Sequence, residues 1–373
     1  MPERKLHIDE LRKAVRQAYP ELDAFAPPGG KGVYLVGGAV RDLLLGRGRA
    51  DLDLVVVGDA TALADAMGAL SLVDHQRFGT AKVELEGHEI DIAAARTETY
   101  SHPGALPTIW PAPDIETDLT RRDFTINAMA IPLGTEARLI DPYDGIADLE
   151  AGQLRALHGD SFVDDPTRAI RAARYASRFG FELERQTADL LRSTDLTTVS
   201  GDRRWSELAR LAAEETAPRG FELLSEWGLV ELREGGVELA RAVSDLLAGE
   251  SWRGEVYRPE AILSAALGPP GGELELAAAS PRQPSRAVEL ARGRNMVELA
   301  LARALGAEWL DSYLGNWRWV RLEIDGADLI AAGVPEGPAL GRGLAAALRR
   351  RLDGEISGRD EELATALEAA GVG

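Results

Sequence analysis

Asp51 and Asp53 stand one residue apart at the head of an apolar, β-branched run at 52–57. On a strand, alternate side chains share a face, so both carboxylates point one way and Leu52 and Leu54 the other. Their Cα atoms would lie roughly 6.5 Å apart. Two carboxylates that close repel unless cations sit between them. Mg²⁺ is the natural cation, because it takes one or two carboxylates and completes its shell with phosphate and water. Alone, an Asp-X-Asp at a strand start also fits a solvated surface pair, so what precedes it matters. Residues 33–36 read as a short buried strand, Gly37 and Gly38 break it, and residues 39–45 read as the first turns of a helix. A glycine pair lets the backbone approach a ligand closely. It also leaves N–H groups free at a helix N-terminus, where anions bind. Arg41 falls in that first turn, a poor place for a cation unless an anion is bound nearby.

Further along, Arg121, Arg122 and Asp123 open the string Arg-Arg-Asp-Phe-Thr-Ile-Asn-Ala at 121–128. Two adjacent cations and a carboxylate in an otherwise apolar stretch need anionic and hydroxyl partners. At 163–174, Asp165 before Pro166 reads as a helix cap followed by proline at the first helical position. Arg168, Arg171 and Arg174 follow at intervals of three and form a slanted stripe along that helix. Cations in the N-terminal half of a helix oppose its dipole, so a polyanion such as a triphosphate is the expected partner.

These strings together resemble a known family. Gly37-Gly38 followed by Asp51 and Asp53 resembles the signature of the nucleotidyltransferase superfamily built on the polymerase β-like head. The fuller Gly-Gly-Ala-Val-Arg-Asp at 37–42 resembles the class II tRNA nucleotidyltransferase and bacterial poly(A) polymerase branch. The family's Arg-Arg-Asp-X-X-X-Asn-Ala string is matched at 121–128. Its Glu-Asp-X-X-Arg string is matched at 164–168, with Asp164 in place of Glu. A looser likeness to Glu-Arg-Ile-X-X-Glu-Leu lies at 202–208, with Asp202 for Glu and Arg204 for Ile; Asp202, Arg203 and Glu207 are expected to fix the turn behind the base pocket. The likeness is dense over 33–208 and sparse to 352.

The resemblance implies an α+β nucleotidyltransferase head with a mixed sheet and helices over 1–150. An all-α neck (151–215), body (216–300) and tRNA-binding tail (301–373) would follow. It implies attack of a tRNA 3′ hydroxyl on the α-phosphate of ATP or CTP, with pyrophosphate leaving. Asp51 and Asp53 would hold two Mg²⁺ ions, with Asp91 as a third catalytic carboxylate on a neighbouring strand. Gly37, Gly38, Arg41, Arg122, Arg171 and Arg174 would contact the nucleotide, chiefly its triphosphate, and Asp123 its ribose. Asp165 and Arg168 would read the base. Cytosine and adenine both present an amino donor beside a ring-nitrogen acceptor, which a carboxylate and a guanidinium match. Guanine and uracil present the reverse and leave both protein groups unpaired. A poly(A) polymerase is the alternative within the family, although such enzymes tend to carry an extended basic C-terminus and residues 359–373 are acidic. A non-catalytic RNA-binding relative is the alternative of another class, against which the intact Asp51 and Asp53 argue.

The elements that must position these residues can be read in outline. Helices are expected over 6–19 and 60–70, a loop over 26–32, and strands over 82–85 and 89–93, the second carrying Asp91. Residues 96–118, with Pro103, Pro107, Pro111 and Pro113, read as a long irregular loop, which inside a compact domain is usually functional. In the resembled family a flexible loop at this position is thought to help switch from CTP to ATP, and C-only enzymes lack it. The loop here is not shortened. The string at 141–149 reads as a structural turn and helix start. Beyond 215 the pattern is helical, broken once at 268–272, and Trp309, Trp317 and Trp319 are expected in helix packing. A Gly-Pro turn at 337–338 could seat a backbone phosphate.

Composition narrows the classes. The 373 residues suit two or more domains, and 45% hydrophobic content suits a globular core. With no cysteine there is no disulfide, thiolate metal site or Cys nucleophile. No run reaches membrane-spanning length and residues 1–10 lack a signal pattern, so a cytoplasmic protein is expected. A net charge of −19 argues against a general nucleic-acid binder, though not against a local basic groove. Residues 281–321 do carry seven Arg against four acids. No oligomeric state is implied.

Overall fold

The computed structural model describes residues 8–20, 22, 32–47, 51–67, 73–75, 79–85, 87–133 and 138–372. The chain forms two compact units. The first takes residues 1–211 and 223–230, the second 212–222 and 231–373.

The first unit is built on a six-stranded mixed sheet in the order β3-β4-β5-β2-β1-β8. Its strands are β1 (Val33–Val36), β2 (Leu52–Val56), β3 (Val73–His75), β4 (Thr80–Leu85), β5 (His88–Ala94) and β8 (Ala130–Pro132). Only β2 and β5 pair in parallel; the other neighbours are antiparallel. Alternation works as the sequence predicts. Leu52 and Leu54 face a core with Val33, Leu35, Ile90 and Ile92, closed by α1 (Ile8–Ala18), α2 (Gly38–Leu44) and α3 (Ala60–Ala66). Val36 and Val55 face the opposite side, with Ile115 and Leu119. The expected loop over 26–32 lies outside the described residues except for Gly32, as do residues 6–7 of the helix expected over 6–19 and residues 68–70 of the helix expected over 60–70.

One expectation fails plainly. Residues 96–118 are not an irregular loop: β6 (Arg96–Thr99) and β7 (Thr108–Pro111) form an antiparallel ribbon, and α4 (Ile115–Leu119) follows. The prolines fall where they cost no ladder bond needed inside a sheet: Pro103 and Pro107 in the ribbon's connection, Pro111 at a strand end and Pro113 before a helix. The connection is held by Gly104, whose N–H donates to the Val163 carbonyl (3.1 Å) and whose carbonyl accepts from Arg203 Nη1 (2.8 Å).

After β8 come α5 (Gly145–Ala151), a two-stranded pairing of β9 (Gln153–Leu154) with β10 (Glu182–Leu183), and the helices α6 (Ser161–Asp164), α7 (Thr167–Phe179), α8 (Arg185–Leu191) and α9 (Gly201–Ala213). The string at 141–149 is structural, as expected. Asp141 accepts from Gly145 N (2.7 Å) and Ile146 N (3.0 Å), which satisfies donors at the start of α5. Buried Asp148 accepts from Thr125 Oγ1 (2.7 Å), and Arg155 pairs with Asp148. Thr125 lies two residues after Asp123, so this knot fixes the 121–128 string from behind.

In the second unit the helices Gly236–Ala248, Arg258–Leu267 and Met296–Ala304 pack together, as do Pro338–Leu352 and Arg359–Ala370. Gly343 allows that second pair to touch, since a methyl there would lie 2.6 Å from the Ala366 carbonyl. The expected break at 268–272 is present between Leu267 and the helix Gly272–Ala278. The tryptophan expectation holds for the half-buried Trp309 and Trp317 and fails at Trp319. Trp252 is the buried one, donating Nε1 to Asp311 (2.8 Å), whereas Trp319 is 61% exposed under Arg318, with its ring centroid 4.5 Å from the guanidinium carbon. Of the Arg-rich stretch, Arg286, Arg294, Arg303 and Arg318 are in ion pairs. No helix among the described residues is long and apolar enough to cross a membrane.

Gly145 marks the tightest packing behind the 121–128 string: a methyl there would lie 2.4 Å from the Thr125 carbonyl oxygen. Backbone cannot yield as a side chain can. Gly145→Ala is therefore expected to destabilise the first unit by about 1–3 kcal/mol, read as a lower urea midpoint at unchanged slope.

Candidate active site

The sheet register assembles the site. Parallel pairing of β2 with β5 sets Asp91 directly across from Asp53, and antiparallel pairing of β5 with β4 sets Lys82 across from Asp91. One rung thus carries Asp53, Asp91 and Lys82. With Arg121 and Arg122 they line a cleft of about 400 Å³. Asp51 stands just before β2 and is exposed. Asp91 Oδ1 lies 4.0 Å from Lys82 Nζ, which donates to Glu89 at 2.8 Å. Among the described residues, no group of three or more His, Cys, Asp or Glu side chains is already converged to hold a metal ion.

Asp53 carries the electrostatic signature of the site. Burial pushes its carboxyl up, the nearby Asp91 and Asp51 add to this, and Arg122 opposes it; the result is about 6, against an ordinary 3.8. The carboxylates' mutual repulsion is left without full compensation by the protein. Hard oxygen donors in that condition suit a hard divalent cation.

The glycine turn lies on the other flank of Asp53. Gly37 has φ +64°, and a methyl there would lie 2.8 Å from Arg122 Nη1 and 4.0 Å from Asp53 Oδ2. The absent side chain is what lets Arg122 come up beside the carboxylate. Arg122 is anchored from below by Asp118, whose Oδ2 accepts from Nη2 (3.1 Å). Asp118 is fully buried and also accepts from Arg121 Nε (3.0 Å) and Arg96 N (3.0 Å). Burial raises its pKa, but the two arginines outweigh burial and hold it below the usual carboxylate range. The sequence reading missed Asp118, although its spacing of three and four from Arg121 and Arg122, which follow a short helix directly, was an available signal.

Several expected nucleotide contacts already have partners within the protein. Arg41 is 4% exposed, donates to Asp42 Oδ1 (2.8 Å) and Asn127 Oδ1 (2.6 Å), and stacks on Tyr175 and Phe179. Asp123 accepts from Asn127 Nδ2 (2.9 Å) and Arg171 Nε (2.8 Å). Burial pushes its carboxyl up, but Arg171 beside it prevails and holds it well below the usual range. Arg171 also lies 3.8 Å from Glu207, and Arg174 packs on Tyr175 with its Nε buried and unbonded. The stripe of α7 is thus partly neutralised from inside, so the helix itself does not require a polyanion. Gly38 opens α2 directly above Arg41, whose Nη2 would lie 3.4 Å from a methyl there.

Asp165 Oδ1 accepts from Thr167 N (3.0 Å) and pairs with Arg203 Nη2 (3.0 Å), so it does steady the start of α7. Arg168, 5% exposed, donates Nη1 to Ser161 Oγ (2.8 Å) and Nη2 to the Arg121 carbonyl (2.7 Å). Arg203 therefore links Asp165 to the Gly104 carbonyl.

The Asp53 result carries a pH dependence. Folding raises the pKa, so between 3.8 and about 6 the folded chain holds a proton that the unfolded chain has lost. Stability should fall as pH rises through that window and level off above it. The span corresponds to about 3 kcal/mol, good to order of magnitude. Asp53→Asn should match wild type near pH 4 and be the more stable of the two at pH 7, as read by urea denaturation in metal-free buffer at both pH values.

Comparison with known proteins identifies the family. Residues 33–155 match the family model of the poly A polymerase head domain. The A-adding tRNA nucleotidyltransferase of Halalkalibacterium halodurans is 45% identical over 199 residues, which cover 50% of this chain and 46% of that protein. The chain thus spans about half the length of that relative. The CC-adding tRNA nucleotidyltransferase of Deinococcus radiodurans is 36% identical over 357 residues, 90% of this chain and 88% of that protein. A solved CCA-adding enzyme, in an apo form, superposes with a TM-score of 0.77 at 28% identity, covering 98% of this chain and 96% of its own. With likeness extending over nearly the whole of both chains, and the head's carboxylates and glycine turn in place, this chain belongs to the class II tRNA nucleotidyltransferase family.

Proposed function

We propose that this protein transfers nucleoside monophosphates from CTP or ATP to the 3′ end of tRNA, without a nucleic-acid template and with release of pyrophosphate. The observation that carries the reading is the placement of Asp53 between Asp91 on one flank and the Gly37 turn with Arg122 on the other. CCA-adding enzymes of the same fold solved with CTP, with ATP and with tRNA support it.

In this reading Asp51 and Asp53 hold Mg²⁺, with Asp91 alongside. Bound there, Mg²⁺ makes the attacking hydroxyl a better nucleophile and offsets charge on the leaving oxygen. The chain's own residues do the positioning. Gly37 and Gly38 bring backbone close to the triphosphate, and Arg122, fixed by Asp118, offers a cation to it. Arg171, Arg174 and Arg41 support the nucleotide from α7 and α2, and Asp123 orients Arg171 beside the ribose. Asp165 accepts from the amino group of C or A, while Arg168 donates to the ring nitrogen. Arg168 has N–H groups beyond the two engaged by Ser161 and the Arg121 carbonyl. We place the head at 1–150, the neck at 151–215, the body at 216–300 and the tRNA-binding tail at 301–373, and the protein in the cytoplasm.

The test is incorporation of labelled CTP and ATP on tRNA ending before the CCA, tRNA ending in CC, and poly(A). Extension of at least one tRNA end and not of poly(A) is expected, and the primer used shows which nucleotides the enzyme adds. Extension of poly(A) alone would transfer the assignment to a polymerase. Incorporation should vanish in excess chelator and return with Mg²⁺ alone. Asp53→Ala should lower the rate at least 100-fold while the protein stays folded, since a metal-holding carboxylate contributes several kcal/mol to the transition state. A variant retaining more than about a tenth of the rate would remove Asp53 from the metal site.

A further inference from the structure

The rung that carries Asp53 and Asp91 ends in a cation. Lys82 on β4 lies two strands from Asp53, roughly 10 Å across the sheet at a strand spacing near 4.8 Å. Of the three cations lining the cleft, Arg122 is tied to Asp118, and Arg121 to Asp118 and Glu98. Lys82 is the open one. Its side chain is 44% exposed; it donates to Glu89, itself 72% exposed, and lies 4.0 Å from Asp91 without a hydrogen bond to it. An ammonium has three donors, so two remain for a ligand.

The flanks of Asp53 differ in kind. Toward β1 lie the Gly37 turn and Arg122, a setting for the triphosphate. Toward β5 and β4 lie Asp91 and Lys82. In a phosphoryl-type displacement the attacking and leaving oxygens are roughly in line through the phosphorus. Pyrophosphate leaving on the β1 flank therefore requires the attacking hydroxyl to enter from the β5 flank. Behind that hydroxyl comes the RNA strand, with its first phosphodiester set back from the reacting atoms.

We infer that Lys82 contacts the RNA phosphodiester adjacent to the attacking 3′ end, exchanging its pairing with Glu89 for that phosphate. The inference rests on the transferase reading for its substrate and adds a residue outside the recognised strings.

The test compares wild type, Lys82→Ala, Lys82→Arg and Glu89→Gln, using tRNA lacking CCA. Equilibrium binding to labelled tRNA is measured over a KCl series with Mg²⁺ present, and KM is measured separately for tRNA and for CTP or ATP. Lys82→Ala should weaken tRNA binding three- to tenfold and raise the tRNA KM similarly, leaving the nucleotide KM unchanged. The slope of log K against log salt should shrink by about 0.7, the value for one single-strand phosphate contact. Lys82→Arg should retain most of the affinity. Glu89→Gln should tighten tRNA binding, because it frees Lys82. A change confined to the nucleotide KM would assign Lys82 to the triphosphate and overturn the inference. So would unchanged tRNA binding in Lys82→Ala, or weakening by Lys82→Ala and Glu89→Gln alike, the mark of a structural pair. Failure of the wild type to extend any tRNA would overturn the transferase reading, while the salt-dependent binding of the variants would still judge Lys82.

Discussion

Repulsion among carboxylates is the constraint on which the head depends. Asp53 sits partly out of water, with Asp91 one strand away and Asp51 two residues back, and its carboxyl rises to about 6 as a result. Left alone, such a group would favour any rearrangement that restored its hydration. The sheet prevents this because Leu52 and Leu54 are locked in the core on the other face. A one-residue slip of β2 would turn the carboxylates into the apolar core and take the leucines out of it. The cost of the site is thus held in place by the same alternation that builds the core.

Arginine placement follows a complementary rule. Guanidinium groups near the cleft are held by carboxylates more deeply buried than themselves: Arg121 and Arg122 by Asp118, and Arg171 by Asp123. Such pairs do not add much net stability, since desolvation offsets most of the attraction. What they fix is geometry. A planar guanidinium bonded at its base has little freedom at its outer edge, so a ligand meets a preset array of donors. Arg203 extends the rule to backbone, tying Asp165 to Gly104 in the β6–β7 connection. Gly104, at φ +71°, comes so near Thr198 that a methyl would lie 2.6 Å from its carbonyl oxygen.

The second unit uses the same device for a different end. Glu362, fully buried, accepts from Glu323 N (2.7 Å) and pairs with Arg351. Arg233 and Glu273 form another buried pair at 3.1 Å. These pairs fix how the helices meet beside their apolar contacts. The aromatic residues of this unit range from the buried Trp252 and Phe221 to the exposed Trp319 and Tyr257.

Much was legible in the sequence because it depends on local rules. Strand alternation placed Asp51 and Asp53 on the face away from Leu52 and Leu54, the glycine pair marked the turn before α2, and the order of the strings pointed to the family. The 96–118 ribbon was not legible. Four prolines mimic a loop, and the ladder that makes it a ribbon joins residues well apart in sequence, such as Thr97 and Trp110. Asp91 could be named as a candidate from the strand it occupied, but its position across from Asp53, with Lys82 as the next neighbour, depends on strand order and register. Likewise the stripe of Arg168, Arg171 and Arg174 was visible as spacing, whereas Ser161 and Asp123 became partners of Arg168 and Arg171 only when α6 and the 121–128 string packed against α7. The sequence by itself determined which residue types were available and which face each would take, because backbone periodicity is local. Tertiary structure decided which charges met, because pairing across strands and helices depends on contacts that no local pattern encodes.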